Sequence, residues 1–115
     1  MTIDLFAGIA VSDYPAALAW YERLFGTRPE FEPNDRESVW KVAEHRYVYV
    51  VHLPERAGHA LHTVFTSDYD DRLSGAVERG LAPARRETYE NGVRKATFSD
   101  PDGNEFAFAG DPPAS

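Results

Sequence analysis

Apolar positions along this chain follow two periods, and the switch between them occurs twice in the same order. Leu5 to Val11 is an apolar run of strand length, broken only by Gly8. After Ser12-Asp13-Tyr14-Pro15, the residues Ala17, Leu18, Tyr21, Leu24 and Phe25 recur at helical spacing and predict a helix from about Pro15 to Phe25. Pro15 suits a first helical turn, Ser12 or Asp13 can accept from its free amides, and Gly26 supplies the stop. A short strand is expected over Arg28 to Glu32 and a loop at Pro33-Asn34-Asp35. Val39 to Val42 and Tyr47 to Leu53 read as strands joined by a turn at Glu44-His45, and Pro54 to Gly58 as a connector.

The second half repeats this order. Ala60 to Thr66 is a strand, and Ser67-Asp68-Tyr69 repeats Ser12-Asp13-Tyr14 at an offset of 55 residues. Leu73, Ala76 and Val77 form a helical stripe that Gly80 ends, and Pro83 to Tyr89 is a strand. Asn91-Gly92 is a two-residue hairpin signal. Val93 to Ser99 and Glu105 to Ala109 are strands closed by Asp100-Pro101-Asp102-Gly103, where Pro101 presets φ and the aspartates bond the local backbone. The order strand, helix, three strands, written twice, predicts an α+β fold. It places two βαβββ modules, residues 3–56 and 58–109, in one domain of residues 1–115, with a frayed tail at 110–115.

Composition narrows the partners. Twelve Lys plus Arg stand against 19 Asp plus Glu, a net charge of −7. That balance disfavours nucleic acid and anionic membrane surfaces and suits a neutral or cationic ligand. The absence of cysteine excludes disulfides, thiolate zinc sites and a cysteine nucleophile. No apolar run approaches the roughly 20 residues that span a bilayer. Met1-Thr2-Ile3-Asp4 lacks a basic region followed by an apolar core, so a cytoplasmic location is expected.

No nucleophile–base arrangement or glycine-rich phosphate loop is visible, and no catalytic residue is assigned. His45 lies in a turn, and His62 shares a strand face with Ala60 and Val64, towards the helices. His59 alternates with Leu61, Thr63 and Phe65, which puts it at the rim of the other face. A metal site from His52 and His59 with outside carboxylates is weighed against the three or four convergent ligands such sites need. Glu105 is in phase with Ala107, facing a cavity or solvent. Arg85, Arg86, Arg94 and Lys95 cluster beside Asn91-Gly92, either as a solvated basic edge or as an anion site.

Ile9-Ala10-Val11-Ser12-Asp13 leading into Trp20-Tyr21 and Leu24-Phe25-Gly26, with Asp100-Pro101-Asp102-Gly103-Asn104-Glu105, resembles the vicinal oxygen chelate superfamily. That group includes glyoxalase I, bleomycin-resistance proteins, extradiol dioxygenases and fosfomycin-resistance enzymes. The resemblance implies that the two modules form a cupped, partly open mixed sheet with the helices outside, and that the protein is a homodimer. It also implies metal-ligand positions at Phe6, Leu61 and Ala107, with a fourth in the stretch Tyr49 to His52. Phe, Leu and Ala offer a divalent metal no donor atom, so no metal and no cofactor are expected there.

Strand alternation sends Phe6, Leu61, Thr63, Phe65 and Ala107 to the concave face if Ile9, Val11, Val64, Phe106 and Phe108 pack on the helices. The candidate ligand-binding set is Phe6, Trp40, Tyr49, His59, Leu61, Thr63, Phe65, Arg94, Glu105 and Ala107. The function this favours is metal-free binding of a partly aromatic or apolar small molecule, as in drug or metabolite sequestration. The alternatives are a glyoxalase-type lyase or dioxygenase-like enzyme with non-standard ligands, and an interaction module without ligand.

Overall fold

A computed structural model of the chain describes residues 1–114; Ser115, the end of the expected tail, lies outside the described residues. The first module runs β1 (Leu5–Val11), α1 (Tyr14–Phe25), β2 (Phe31–Asn34), β3 (Glu37–Ala43) and β4 (Arg46–His52). A single 3-10 turn, Pro54–Arg56, leads to the second: β5 (Leu61–Phe65), α2 (Tyr69–Glu78), β6 (Arg85–Thr88), β7 (Arg94–Ser99) and β8 (Glu105–Gly110). Each module makes one four-stranded mixed sheet, in the orders β1-β4-β3-β2 and β5-β8-β7-β6. The first and last strands of each module are parallel neighbours, and the other pairs are antiparallel. Two βαβββ modules are therefore present. No helix among the described residues is long and apolar enough to cross a membrane.

The local chemistry of the first helix is as its sequence predicts. Asp13 Oδ1 accepts from the Ala16 amide at 3.1 Å, and the Gly26 amide closes the last turn on Glu22 O at 2.8 Å. The matching Asp68 does not cap α2. Its carboxylate instead takes the Thr66 hydroxyl and Arg72 Nε, and these contacts hold it below the usual carboxylate range.

Three boundaries differ from expectation. β2 begins later and includes Pro33 and Asn34, read above as loop. It is an edge strand with a register shift between Phe31 and Asn34, and an edge is where a sheet tolerates proline. β6 is shorter than Pro83 to Tyr89. The hairpin before β7 has a three-residue loop, Glu90-Asn91-Gly92. Tyr89 N–H bonds Val93 O at 2.9 Å and Gly92 N–H bonds Tyr89 O at 2.8 Å. Gly92, at φ 87°, takes the left-handed position that this loop requires.

The core lies between the sheets and the helices. Ile9, Val11, Trp40, Val48 and Val50 of sheet one, with Phe98, Phe106 and Phe108 of sheet two, are buried against Tyr21 and Leu24 of α1. Phe25 at the end of α1 meets Trp40 at 5.4 Å and Phe106 edge-on at 5.2 Å, so one ring keys the helix into both sheets. No ladder joins β1 to β5; side chains bridge that seam. His62 Nε2 reaches Gly8 O at 3.0 Å, and Asn104 Nδ2 donates to Ala10 O at 2.8 Å.

Asn104 is 1% exposed and fully satisfied. Its Oδ1 accepts from the amides of Gly58 (3.1 Å) and Ala60 (2.9 Å), and Nδ2 also donates to Asp100 Oδ2 at 2.9 Å. Asp100 Oδ2 takes the Tyr21 hydroxyl at 2.8 Å, and Asp102 Oδ2 takes the Ser12 amide at 2.9 Å. Burial, then Asp100, push the Tyr21 phenol far up, so it stays a neutral donor. The Asp-Pro-Asp-Gly-Asn turn is thus also the clasp between modules. Asn104→Ala leaves two amides and a carbonyl unpaired and is expected to cost about 2–4 kcal/mol of unfolding free energy by urea titration. A loss under about 0.5 kcal/mol would show that the clasp contributes little.

Candidate functional site

On the strands that flank the seam, alternation divides two faces. Ile9, Val48, Val50, Val64, Phe106 and Phe108 pack in or against the helix-side core. Phe6, Gly8, Tyr47 and Tyr49, and in module two Leu61, Thr63, Phe65, Glu105 and Ala107, take the opposite phase.

In module one, Phe6 stacks on its cross-strand partner Tyr47, with centroids 4.5 Å apart and planes 8° from parallel. The Tyr49 ring lies over Gly8, where a Cβ would stand 2.6 Å from it; only glycine permits that approach. Gly8, Ala10, Tyr49, Val51, Leu53 and His59 line an open cavity of about 540 Å³ together with Glu55 and Arg56. In module two, Leu61, Thr63 and Phe65 form an exposed row on the edge strand β5, and Leu61 and Phe65 are 76% and 58% exposed. Ala107 is buried beside them, and Glu105 is held by Arg85 in a two-point ion pair, 2.7 and 3.2 Å.

Two of the predicted residues are elsewhere. Trp40 pairs with Val48, shares its phase, and is 1% exposed under α1, with Nε1 bonded to Thr27 O at 3.0 Å. It is a core residue. Arg94 is in phase with Ala96 and Phe98, on the helix side. Its guanidinium lies 4.7 Å from the Tyr69 ring centroid and bonds Asp70 at 2.8 Å and the Asp111 carbonyl, which pins the start of the tail. Lys95, one residue on, and Arg85 supply the cations of the concave face instead. His52, in phase with Val50, lines a groove at the start of α1, on the opposite face from His59, so the two histidines form no shared site.

A further cavity follows the seam. It measures about 590 Å³ and runs along the free edge of β5, between Leu5, Ala7 and Val48 on one side and Val64, Phe106 and Phe108 on the other. Phe25 and Arg72 also line it, and Leu61, Thr63 and Phe65 belong to its wall, so β5 joins this cavity to the concave face. Of its polar groups, His62 bonds Gly8 O and Arg72 bonds Asp68, whereas Arg46 makes no ion pair among the described residues.

Strand register resolves the implied metal positions. Phe6 and Leu61 correspond across the repeat, Gly8 pairs with Tyr49, and Thr63 with Ala107, so the fourth position is Tyr49. One phenol with Phe, Leu and Ala does not make a divalent-metal site. Among the described residues, no three histidines or carboxylates stand close enough to hold an ion. The donor set does not fit the group that the resemblance implies.

The Glyoxalase/Bleomycin resistance protein/Dioxygenase superfamily model matches residues 2–108. A glyoxalase/bleomycin resistance protein from Catenulispora acidiphila DSM 44928 is 53% identical, with TM-score 0.93 over 96% of this chain and 100% of that one. A bleomycin-binding protein crystallised with bleomycin shares the fold at 18% identity and TM-score 0.75, over 96% and 99% of the two chains. So does a lactoylglutathione lyase from Agrobacterium tumefaciens, at 14% identity and TM-score 0.74, over 96% and 94%. No curated protein matches. The chain belongs to the Glyoxalase/Bleomycin resistance protein/Dioxygenase superfamily.

Arg85 lowers the Glu105 carboxyl from its ordinary value of 4.5, first by hydrogen bonding and then by its charge. A folded value below the unfolded one gives stability that is present above 4.5 and lost as pH falls through the folded value. In Arg85→Met, Glu105 is expected to titrate higher than in the unaltered chain, as followed by carboxyl-detected NMR, with Lys95 still lowering it. An unchanged titration would show that the pair does not persist in solution.

Proposed function

We propose that this member of the superfamily binds an organic small molecule with an apolar or partly aromatic body, and holds it without converting it. The observation that carries the reading is the seam cavity. Its volume of about 590 Å³ falls in the range of small-molecule sites, and its walls are mainly aliphatic and aromatic. The row Leu61, Thr63, Phe65 extends it onto the concave face, with Phe6 and Tyr49 on the module-one side. The missing donors at Phe6, Leu61 and Ala107 weigh against the metal-dependent chemistries of the superfamily. A bleomycin-binding protein crystallised with bleomycin has this fold, a precedent for small-molecule binding on it.

We infer further that the working form is a homodimer. Leu5, Phe6, Leu61 and Phe65 are 62%, 46%, 76% and 58% exposed, a concentration of apolar surface on the two edge strands that a second copy would cover. Light scattering at micromolar concentration is expected to give twice the chain mass of 12.9 kDa; a monomer would overturn this.

Titration with the neutral fluorophore N-phenyl-1-naphthylamine tests the binding reading. Removing both large side chains in Leu61→Ala/Phe65→Ala is expected to weaken binding about tenfold, on the order of 1.4 kcal/mol. Equal binding by a folded double variant would place the ligand body elsewhere.

A further inference from the structure

The concave face of module two holds one group that binding of an apolar body leaves unexplained. Thr97, on β7, is 1% exposed, and its Oγ1 is the one buried side-chain polar atom without a hydrogen-bond partner among the described residues. Native proteins rarely leave such a hydroxyl unpaired, because it has lost its water without a replacement. Its surroundings say why no neighbour serves. Thr97 pairs with Arg85 on β6 and Ala107 on β8. Ala107 offers only a methyl group. Arg85 reaches across β7 to Glu105, so its donors are drawn to a carboxylate that lies beyond Thr97.

Around this hydroxyl is a cup of about 200 Å³ lined by Thr63, Arg85, Lys95, Thr97, Glu105 and Ala107. It shares Leu61 and Thr63 of the edge strand β5 with the seam cavity. The charges in the cup are not equally engaged. Both nearby carboxylates attend Arg85: Glu105 lies 2.7 Å from its Nη2 and Glu87 3.8 Å from its Nε. Lys95, in phase with Thr97 on the same strand, makes no ion pair among the described residues. Lys95 stands opposite Glu87 on β6 and its charge acts on Glu105, but neither carboxylate forms an ion pair with it. An incoming anion would meet that ammonium and, beneath the Arg85–Glu105 pair, a buried hydroxyl without a partner.

We propose that the cup receives a carboxylate at the end of the ligand, with Thr97 Oγ1 and Lys95 Nζ as its donors and the Arg85–Glu105 pair as its roof. This rests on the small-molecule reading above and gives that molecule a polar end. It reverses the neutral or cationic ligand expected from the net charge of −7. Direct hydrogen bonds act at contact, whereas charges scattered over the surface are screened beyond about 8–10 Å at ordinary ionic strength.

Phenylacetate, phenethylamine and phenylacetamide differ only at the end that would enter the cup. Titrated by NMR, the protein is expected to bind phenylacetate about tenfold tighter than either. Thr97→Val, which replaces the hydroxyl by a methyl of similar size, and Lys95→Met should each weaken phenylacetate about tenfold and leave N-phenyl-1-naphthylamine unaffected. Thr97→Val should also melt a few degrees higher without ligand, because the unpaired hydroxyl is gone. Equal affinity for the three compounds, or phenylacetate binding that Thr97→Val leaves unchanged, overturns the carboxylate site. If N-phenyl-1-naphthylamine still binds and depends on Leu61 and Phe65, the binding reading survives that failure. If neither it nor phenylacetate binds, both fail together.

Discussion

The buried carboxylate of Asp100 is the constraint on which the arrangement of the two modules depends. At 5% exposure it cannot rely on water, and a buried charge without partners is strongly destabilising. Its oxygens gather the Tyr21 hydroxyl from α1, the Asn104 side chain, and the amides of Asp102 and Asn104. Meeting those demands fixes the β7–β8 turn against the first helix. Asn104 then carries the constraint to Ala10 on β1 and to the amides ahead of β5. The edges of β1 and β5 are therefore held near one end without a ladder between them. Towards Leu5 and Phe65 they are free to part, and the seam cavity lies there.

Duplication sets the two concave faces in the same register, and side-chain choice then separates them. Phe6 and Tyr47 correspond to Leu61 and Glu105, and Gly8 and Tyr49 to Thr63 and Ala107. In module one the large rings fill their own face: Phe6 lies on Tyr47, and Tyr49 on Gly8. In module two the same positions carry smaller or polar side chains, which leaves room over Ala107 and Thr97. The asymmetry places the one buried side-chain polar atom without a partner among the described residues, Thr97 Oγ1, on module two.

Much of this was legible in the sequence, and the misses share a cause. Helix α1 announces itself through its cap, its stripe and its glycine stop, and the repeated Ser-Asp-Tyr marks the second module. Strand phase could be read wherever one face is much more apolar than the other, as in β8, where Phe106 and Phe108 alternate with Glu105 and Ala107. It could not be read in β3, where Ser38, Val39 and Trp40 are buried in succession, so Trp40 passed for a site residue. In β7, Arg94 and Lys95 are adjacent, and only one of them can face the cup. The buried Phe98 would have fixed that phase and selected Lys95 and Thr97. The clasp was read as turn chemistry alone, because nothing local in Asp-Pro-Asp-Gly-Asn reports partners about 80 to 90 residues away.

The same substitutions bear on whether this face binds or reacts. A divalent ion concentrates charge on one oxygen and lowers the cost of developing negative charge there, which is what metal-assisted chemistry requires. Benzyl, isobutyl and methyl groups at Phe6, Leu61 and Ala107 offer no such focus. The polar groups that remain are a hydroxyl, an ammonium and a guanidinium already balanced by Glu105. They are spread around the rim of an apolar surface. Groups so placed can hold and orient a molecule, and only contacts stronger to a transition state than to the substrate would accelerate a reaction. Catalysis here would need a base or nucleophile aimed at the apolar row. Of the acid–base side chains beside that row, Glu105 is bonded to Arg85 and His62 to Gly8 O.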